Sequence, residues 1–168
     1  WRDHAATLFL KSELGAGKPW VFADRTKDSG LEAMPPTYQA AWADVDGDGN
    51  LDLLTAGKLY MNKRTQVKDA GHWIELRLIE DGVRVNRGAV GAQARVTLPD
   101  GRVLSRQVEA GTGEGNSNSP ILHFGVGAAA GPFKVEIRWP GVGKDLVQIV
   151  EGVAVDQKLT VQMKPPAP

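Results

Sequence analysis

Apolar and polar residues alternate along this chain in short runs, and each run ends in Gly, Asp, Asn or Pro. A period of two fits a pleated strand with one face inward, and the punctuating residues favour turns. The pattern predicts strands at Thr7–Lys11, Trp20–Ala23, Gln39–Ala43, Leu51–Thr55, Lys58–Asn62, His72–Glu80, Ala92–Leu98, Arg102–Glu109, Ile121–Phe124, Phe133–Trp139, Leu146–Val150 and Lys158–Met163. No stretch carries a sustained helical period, so the expected fold class is all-β. In His72–Glu80, Ile74, Leu76 and Leu78 fall on one face, while Glu75 and Arg77 fall on the other. Trp73 is in phase with that polar face, and His123, between Leu122 and Phe124, is expected to point away from the core. Trp139 is in phase with Val135 and Ile137, which places it in the core. The stretch "ARVTLPDGRVLSRQVE" reads as a hairpin, with Asp100-Gly101 expected to supply two positive-φ positions.

The alternation breaks once, over the polar stretch Asn62–Gly71. Strands before it are short and glycine-broken; those after it are longer and alternate cleanly. The chain therefore divides into a first unit over 1–65, a second over 71–164 of antiparallel sandwich-like character, and a Pro-rich tail over 165–168.

Composition sharpens this mainly by exclusion. Twenty basic residues balance twenty acidic ones, so no net field favours nucleic acid or an anionic membrane as partner. No apolar run approaches the roughly 20 residues that would span a bilayer, and membrane insertion is not expected. The absence of cysteine excludes disulfides, thiolate zinc sites and a cysteine nucleophile. No leader is visible, so any signal peptide is taken to lie outside these residues.

Against this neutral background one acidic cluster stands out, "DVDGDGNLD" from Asp44 to Asp52. Four like charges this close repel one another unless a cation gathers them. Gly47 and Gly49 allow the backbone to curl so that alternate side chains converge. Ca²⁺ takes six to eight hard oxygen ligands, and a glycine at the sixth loop position permits the turn. The expected ligands are the carboxylates of Asp44, Asp46, Asp48 and Asp52 and the backbone carbonyl of Asn50. The loop is not an EF-hand: the twelfth position holds Thr55 instead of glutamate, and the flanks read as strands.

Other signals are weaker. "GAGKP" and "GVGKD" lack the leading glycine and following Ser/Thr of a phosphate loop and read as turns. His4, His72 and His123 have no metal-ligand spacing. No nucleophile elbow or acid–base motif appears, so no catalytic residue and no organic cofactor is assigned. Trp1, Trp20 and Trp73 are the candidates for an exposed aromatic surface that could stack on a sugar ring.

The first unit resembles one FG-GAP/VCBS repeat, the blade unit of integrin-like β-propellers. The resemblance rests on "LF" at Leu8-Phe9, "FADRT", "SGL", "AAWADVDGDGNLDLL" and "LYMN". The second unit resembles the UnbV/ASPIC domain, through "HWIELRL", "NRGAVGAQARVTLPDGR", "GTGEGNSNSPILHFGVG" and "KVEIRWPG". "GNSNSP" departs from the polar pair usual in that family. A propeller needs several blades, and only one repeat is present. Two arrangements follow: the end of a longer propeller, or a single repeat packed on the sandwich. The resemblance implies a secreted or cell-surface protein of bacterial origin. Its implied role is a non-catalytic, calcium-stabilised module for adhesion or protein interaction. The competing expectation is a carbohydrate-binding module, with a glycan in place of an extracellular protein as partner.

Overall fold

The computed structural model describes residues 8–12, 21–63, 71–80, 82–83, 86–113, 115–141 and 146–164. Trp1, Trp20, all of "GAGKP", most of "GVGKD", most of the stretch joining the two units and the tail 165–168 lie outside these residues. The described residues are all β. The strands are β1 (Leu10–Ser12), β2 (Phe22–Asp24), β3 (Ala40–Ala43), β4 (Asp52–Thr55), β5 (Lys58–Tyr60), β6 (His72–Ile79), β7 (Gln93–Thr97), β8 (Val103–Gln107), β9 (Leu122–Gly127), β10 (Phe133–Trp139), β11 (Leu146–Val153) and β12 (Gln157–Gln162). Each falls on or beside a run that the alternation predicts. No helix among them is long and apolar enough to cross a membrane.

The first unit holds the ribbon β1–β2 and the antiparallel sheet β3-β4-β5. The second holds a four-stranded antiparallel sheet, β11-β10-β7-β8, and a three-stranded sheet, β12-β6-β9. Its two sheets share one core. Ile74, Leu76 and Leu78 of β6, Leu122, Phe124 and Val126 of β9 and Val161 of β12 contribute from one sheet. Ala94 and Val96 of β7 and Val135, Ile137 and Trp139 of β10 contribute from the other. The in-phase positions of each strand go inward, as alternation requires. This is the sandwich-like arrangement expected for the second unit.

Two details differ from expectation. β12 runs parallel to β6, pairing Lys158 with Glu75 and Leu159 with Leu76, so one sheet is mixed. In the β7–β8 hairpin only Gly101 has positive φ, at 83°. Pro99 and Asp100 form the middle of a turn closed by the Gly101 amide donating to the Leu98 carbonyl (2.9 Å). Proline suits the second position of such a turn, and one left-handed glycine then rejoins the strand.

Candidate metal centre at the junction of the two units

The acidic loop joins β3 to β4. Ala43 pairs with Asp52 at its base, and Trp42 pairs with Leu53 one residue further in. Between them Gly47 (φ 79°) and Gly49 (φ 87°) take the left-handed conformation that other residues adopt at a cost. Asp44 accepts the Gly47 amide at Oδ1 (2.8 Å) and the Gly49 amide at Oδ2 (3.1 Å). Asp48 Oδ1 accepts both the backbone amide (2.9 Å) and the side-chain amide (3.0 Å) of Asn50. This curl gathers Asp44, Asp46 and Asp48, each offering a carboxylate oxygen within 4.8 Å of the others.

Asp52 stands apart from that trio. It is buried, and its two oxygens accept the amides of Val45 (2.9 Å) and Asn62 (2.8 Å). It thereby ties the start of the loop to the end of β5. Asn50 is tied to Asp48 through both its backbone and its side-chain amide. The donor set suits a hard cation: three carboxylates on one curled loop, with glycines at its two left-handed positions.

The loop lies against the second unit. On the outer face of the mixed sheet, Lys158 of β12, Glu75 of β6 and His123 of β9 are register partners, forming a row across three strands. All three serve the loop or one another. Lys158 Nζ pairs with Asp44 Oδ2 at 2.9 Å and with Glu75 Oε2 at 3.2 Å. The side chains of Asp44 and Glu75 are only 1% and 2% exposed. The Asp44 carboxylate, followed by Glu75, holds the Lys158 ammonium above the ordinary lysine range, against the opposing effect of burial. His123 Nε2 lies 2.7 Å from the Gly49 carbonyl oxygen, and its ring stacks on Trp73 (centroids 6.5 Å, planes within 9°). The Trp73 indole lies so close to Gly49 that a Cβ there would stand inside the ring.

These contacts correct the expectation for β6. Glu75 and Trp73 do turn away from the core, but the face they occupy is covered by the loop. Glu75 is buried and Trp73 half-buried. His123 also points outward, and is half-buried for the same reason. No tryptophan among the described residues is exposed. The stacking surface proposed for Trp73 is occupied by the protein itself, and Trp1 and Trp20 lie outside the described residues.

A second set of contacts joins the units beside the loop. "GNSNSP", whose role the sequence leaves undefined, runs along β3. Asn116 Nδ2 donates to the Ala40 carbonyl (2.5 Å), Asn118 Oδ1 accepts the Trp42 amide (3.0 Å), and the Ser119 amide donates to the Trp42 carbonyl (2.9 Å). The segment thus satisfies backbone groups on the open edge of β3, which would otherwise need water or another chain. Sequence reading missed Lys158, Glu75, His123 and this segment as parts of the site. The only signal was the charge pairing of Lys158 with Glu75, which becomes visible once β12 is placed beside β6.

No curated protein matches the chain. The family described as ASPIC and UnbV matches over residues 82–167. That span covers the four-stranded sheet and two strands of the mixed one, while β6, which completes the sandwich, precedes it. From this match, the chain belongs to the ASPIC and UnbV family.

Proposed function

We propose that this chain is a non-catalytic extracellular module in which a calcium-binding FG-GAP/VCBS-like repeat is seated on an ASPIC and UnbV sandwich and presents a surface for adhesion or protein interaction. The observation that carries the reading is the convergence of Asp44, Asp46 and Asp48 on one loop between two strands. Asn50 adds its carbonyl on this reading, and Asp52 anchors the loop's two ends through the Val45 and Asn62 amides. Calcium bound there supplies positive charge to a loop whose carboxylates otherwise repel. Its main role is structural: it stiffens the hairpin that rests on Trp73 and His123.

A protein partner is favoured over a glycan by the surface of the first unit. Leu54 and Leu59, opposite one another on β4 and β5, are 52% and 46% exposed. Such an apolar pair suits a protein interface, whereas no described tryptophan is exposed.

Calcium titration by calorimetry, with melting curves in chelator and after calcium is restored, tests the metal. Binding heat and a chelator-lowered melting temperature that calcium restores are expected. No heat and an unchanged melting curve overturn it. Screening the calcium-loaded chain against extracellular protein and glycan arrays tests the partner class, and binding confined to glycans overturns the protein-interaction reading.

A further inference from the structure

Asp44 of the first unit and Glu75 of the second, both nearly buried, share the single ammonium of Lys158 from the second unit. Burying an unpaired carboxylate is costly, so Asp44 and Glu75 both depend on Lys158 as long as no other cation is near. The only other lysine paired with the three-aspartate group among the described residues is Lys63. Both ammonium groups reach solvent, but Lys63 meets Asp46 at 3.4 Å on a carboxylate that is 35% exposed, where water and salt weaken the attraction, whereas Asp44 is 1% exposed. Lys158 is therefore the principal fixed positive charge on the loop.

We infer that Lys158 is a resident counter-cation: it holds Asp44 in its folded position when the loop is empty of metal, and it competes with calcium for the charge of that carboxylate. This rests on the calcium reading above. A divalent ion among Asp44, Asp46 and Asp48 shares Asp44 with the ammonium, and the two positive charges repel across it. Glu75 moderates that repulsion by holding part of the ammonium's charge from behind. Lys158 thus acts as a positioning residue that trades calcium affinity for a loop that keeps its shape without the metal.

The consequences have opposite signs in two variants. Lys158→Met removes the competitor, so the chelated protein melts lower while calcium binds about tenfold or more tightly. Glu75→Gln leaves Lys158 wholly to Asp44, so calcium binds several-fold more weakly, on the order of the same electrostatic coupling. Lys63→Met, at the exposed pair, shifts affinity less than Lys158→Met. A lysine with a merely structural role would instead lose calcium affinity on removal, because the loop would lose its shape.

The experiment is calorimetric calcium titration of the full chain and its three variants, with melting curves in chelator and in calcium. Tighter binding in K158M with weaker binding in E75Q supports the proposal. Unchanged or weaker binding in K158M, alongside ordinary binding by the parent chain, overturns it and leaves the calcium reading intact. If neither the parent chain nor any variant binds calcium, the calcium reading fails and the competition fails with it. Should K158M not fold, E75Q decides: weaker binding supports the proposal, and equal or tighter binding overturns it.

Discussion

The first unit and the sandwich are built from strands of the same kind, but different forces hold them. In the sandwich, two sheets close over a continuous apolar core in which Ile74, Leu76, Phe124, Val135 and Ile137 are wholly buried. In the first unit, only Leu31 and Leu53 are buried among the described apolar residues, while Leu8, Leu10, Val21, Phe22, Tyr38, Leu54 and Leu59 remain exposed. What the first unit lacks in core it receives through polar devices. Asp52 ties loop to strand, Asn118 and Ser119 hold the edge of β3, and Lys158 neutralises Asp44. The difference predicts that the first unit depends on its seat on the second for its shape. The sandwich carries a continuous core of its own.

The largest effect should come from the sandwich core. Phe124→Ala removes a fully buried ring between the sheets and should cost about 3–5 kcal/mol. Because the first unit rests on β9 and β6, both units should be lost together in chemical denaturation followed by tryptophan fluorescence and far-ultraviolet dichroism. A first unit that survives this substitution would break the comparison.

Gly49→Ala should act more locally. It forces a left-handed position and drives a methyl group into the Trp73 indole, together worth about 2–4 kcal/mol. The expected outcome is rapid proteolysis within the first unit, with the strands of the sandwich still protected from hydrogen exchange. Equal loss of protection in both units would show that they cooperate more tightly than their cores suggest.

Asn118→Ala should be smaller, about 1 kcal/mol, because the Trp42 amide it leaves is only partly buried and can recruit water. Faster amide exchange at Trp42 and Ser119, with β10 and β7 unchanged, is the measurement. An effect spread equally into the sandwich would be inconsistent with the segment serving the first unit.

The same contrast governs how much was legible in the sequence. The sandwich was readable because alternation is a local record of burial: Ile74, Leu76 and Leu78 announce an inward face without knowledge of their neighbours. The acidic loop was readable because the spacing of its aspartates and glycines is also local. Neither property reveals pairing partners. That β12 lies parallel to β6 depends on the whole topology, and only that pairing brings Lys158 beside Glu75. Glu75 and Trp73 were assigned correctly to the outer face, yet nothing in their own strand says that a loop some 25 residues earlier covers it. Asn116, Asn118 and Ser119 look like ordinary turn residues until β3 is placed against them.

The smallest predicted effect compares two exposed turns, one in each unit. Asp24 accepts the amide and hydroxyl of Thr26 (2.9 and 2.6 Å), and Asp100 accepts the amide and guanidinium of Arg102 (3.0 and 2.7 Å). Hydrogen bonding, led by the Thr26 hydroxyl for Asp24 and by the Arg102 amide for Asp100, lowers both carboxyl pKa values below the ordinary one. A pKa lowered in the folded state means stability that is complete above the unfolded pKa and is lost as pH falls through the folded one. Both groups should therefore titrate low in a nuclear magnetic resonance pH series on the parent chain. In Gly49→Ala the two should part. Asp100 sits in a hairpin anchored by Val96 and Leu98 in the sandwich core and should keep its low value. Asp24 depends on a turn that also holds Phe9, through the amide donated to the Thr26 hydroxyl (2.8 Å), and Phe9 packs against Trp42 of β3, the strand that leads into the loop. Once the loop is displaced from Trp73, that chain of contacts loosens and Asp24 should move back toward an ordinary carboxylate. An Asp24 that stays low in this variant would mean that the first unit keeps its turns without being seated, and the dependence inferred from its thin core would be wrong.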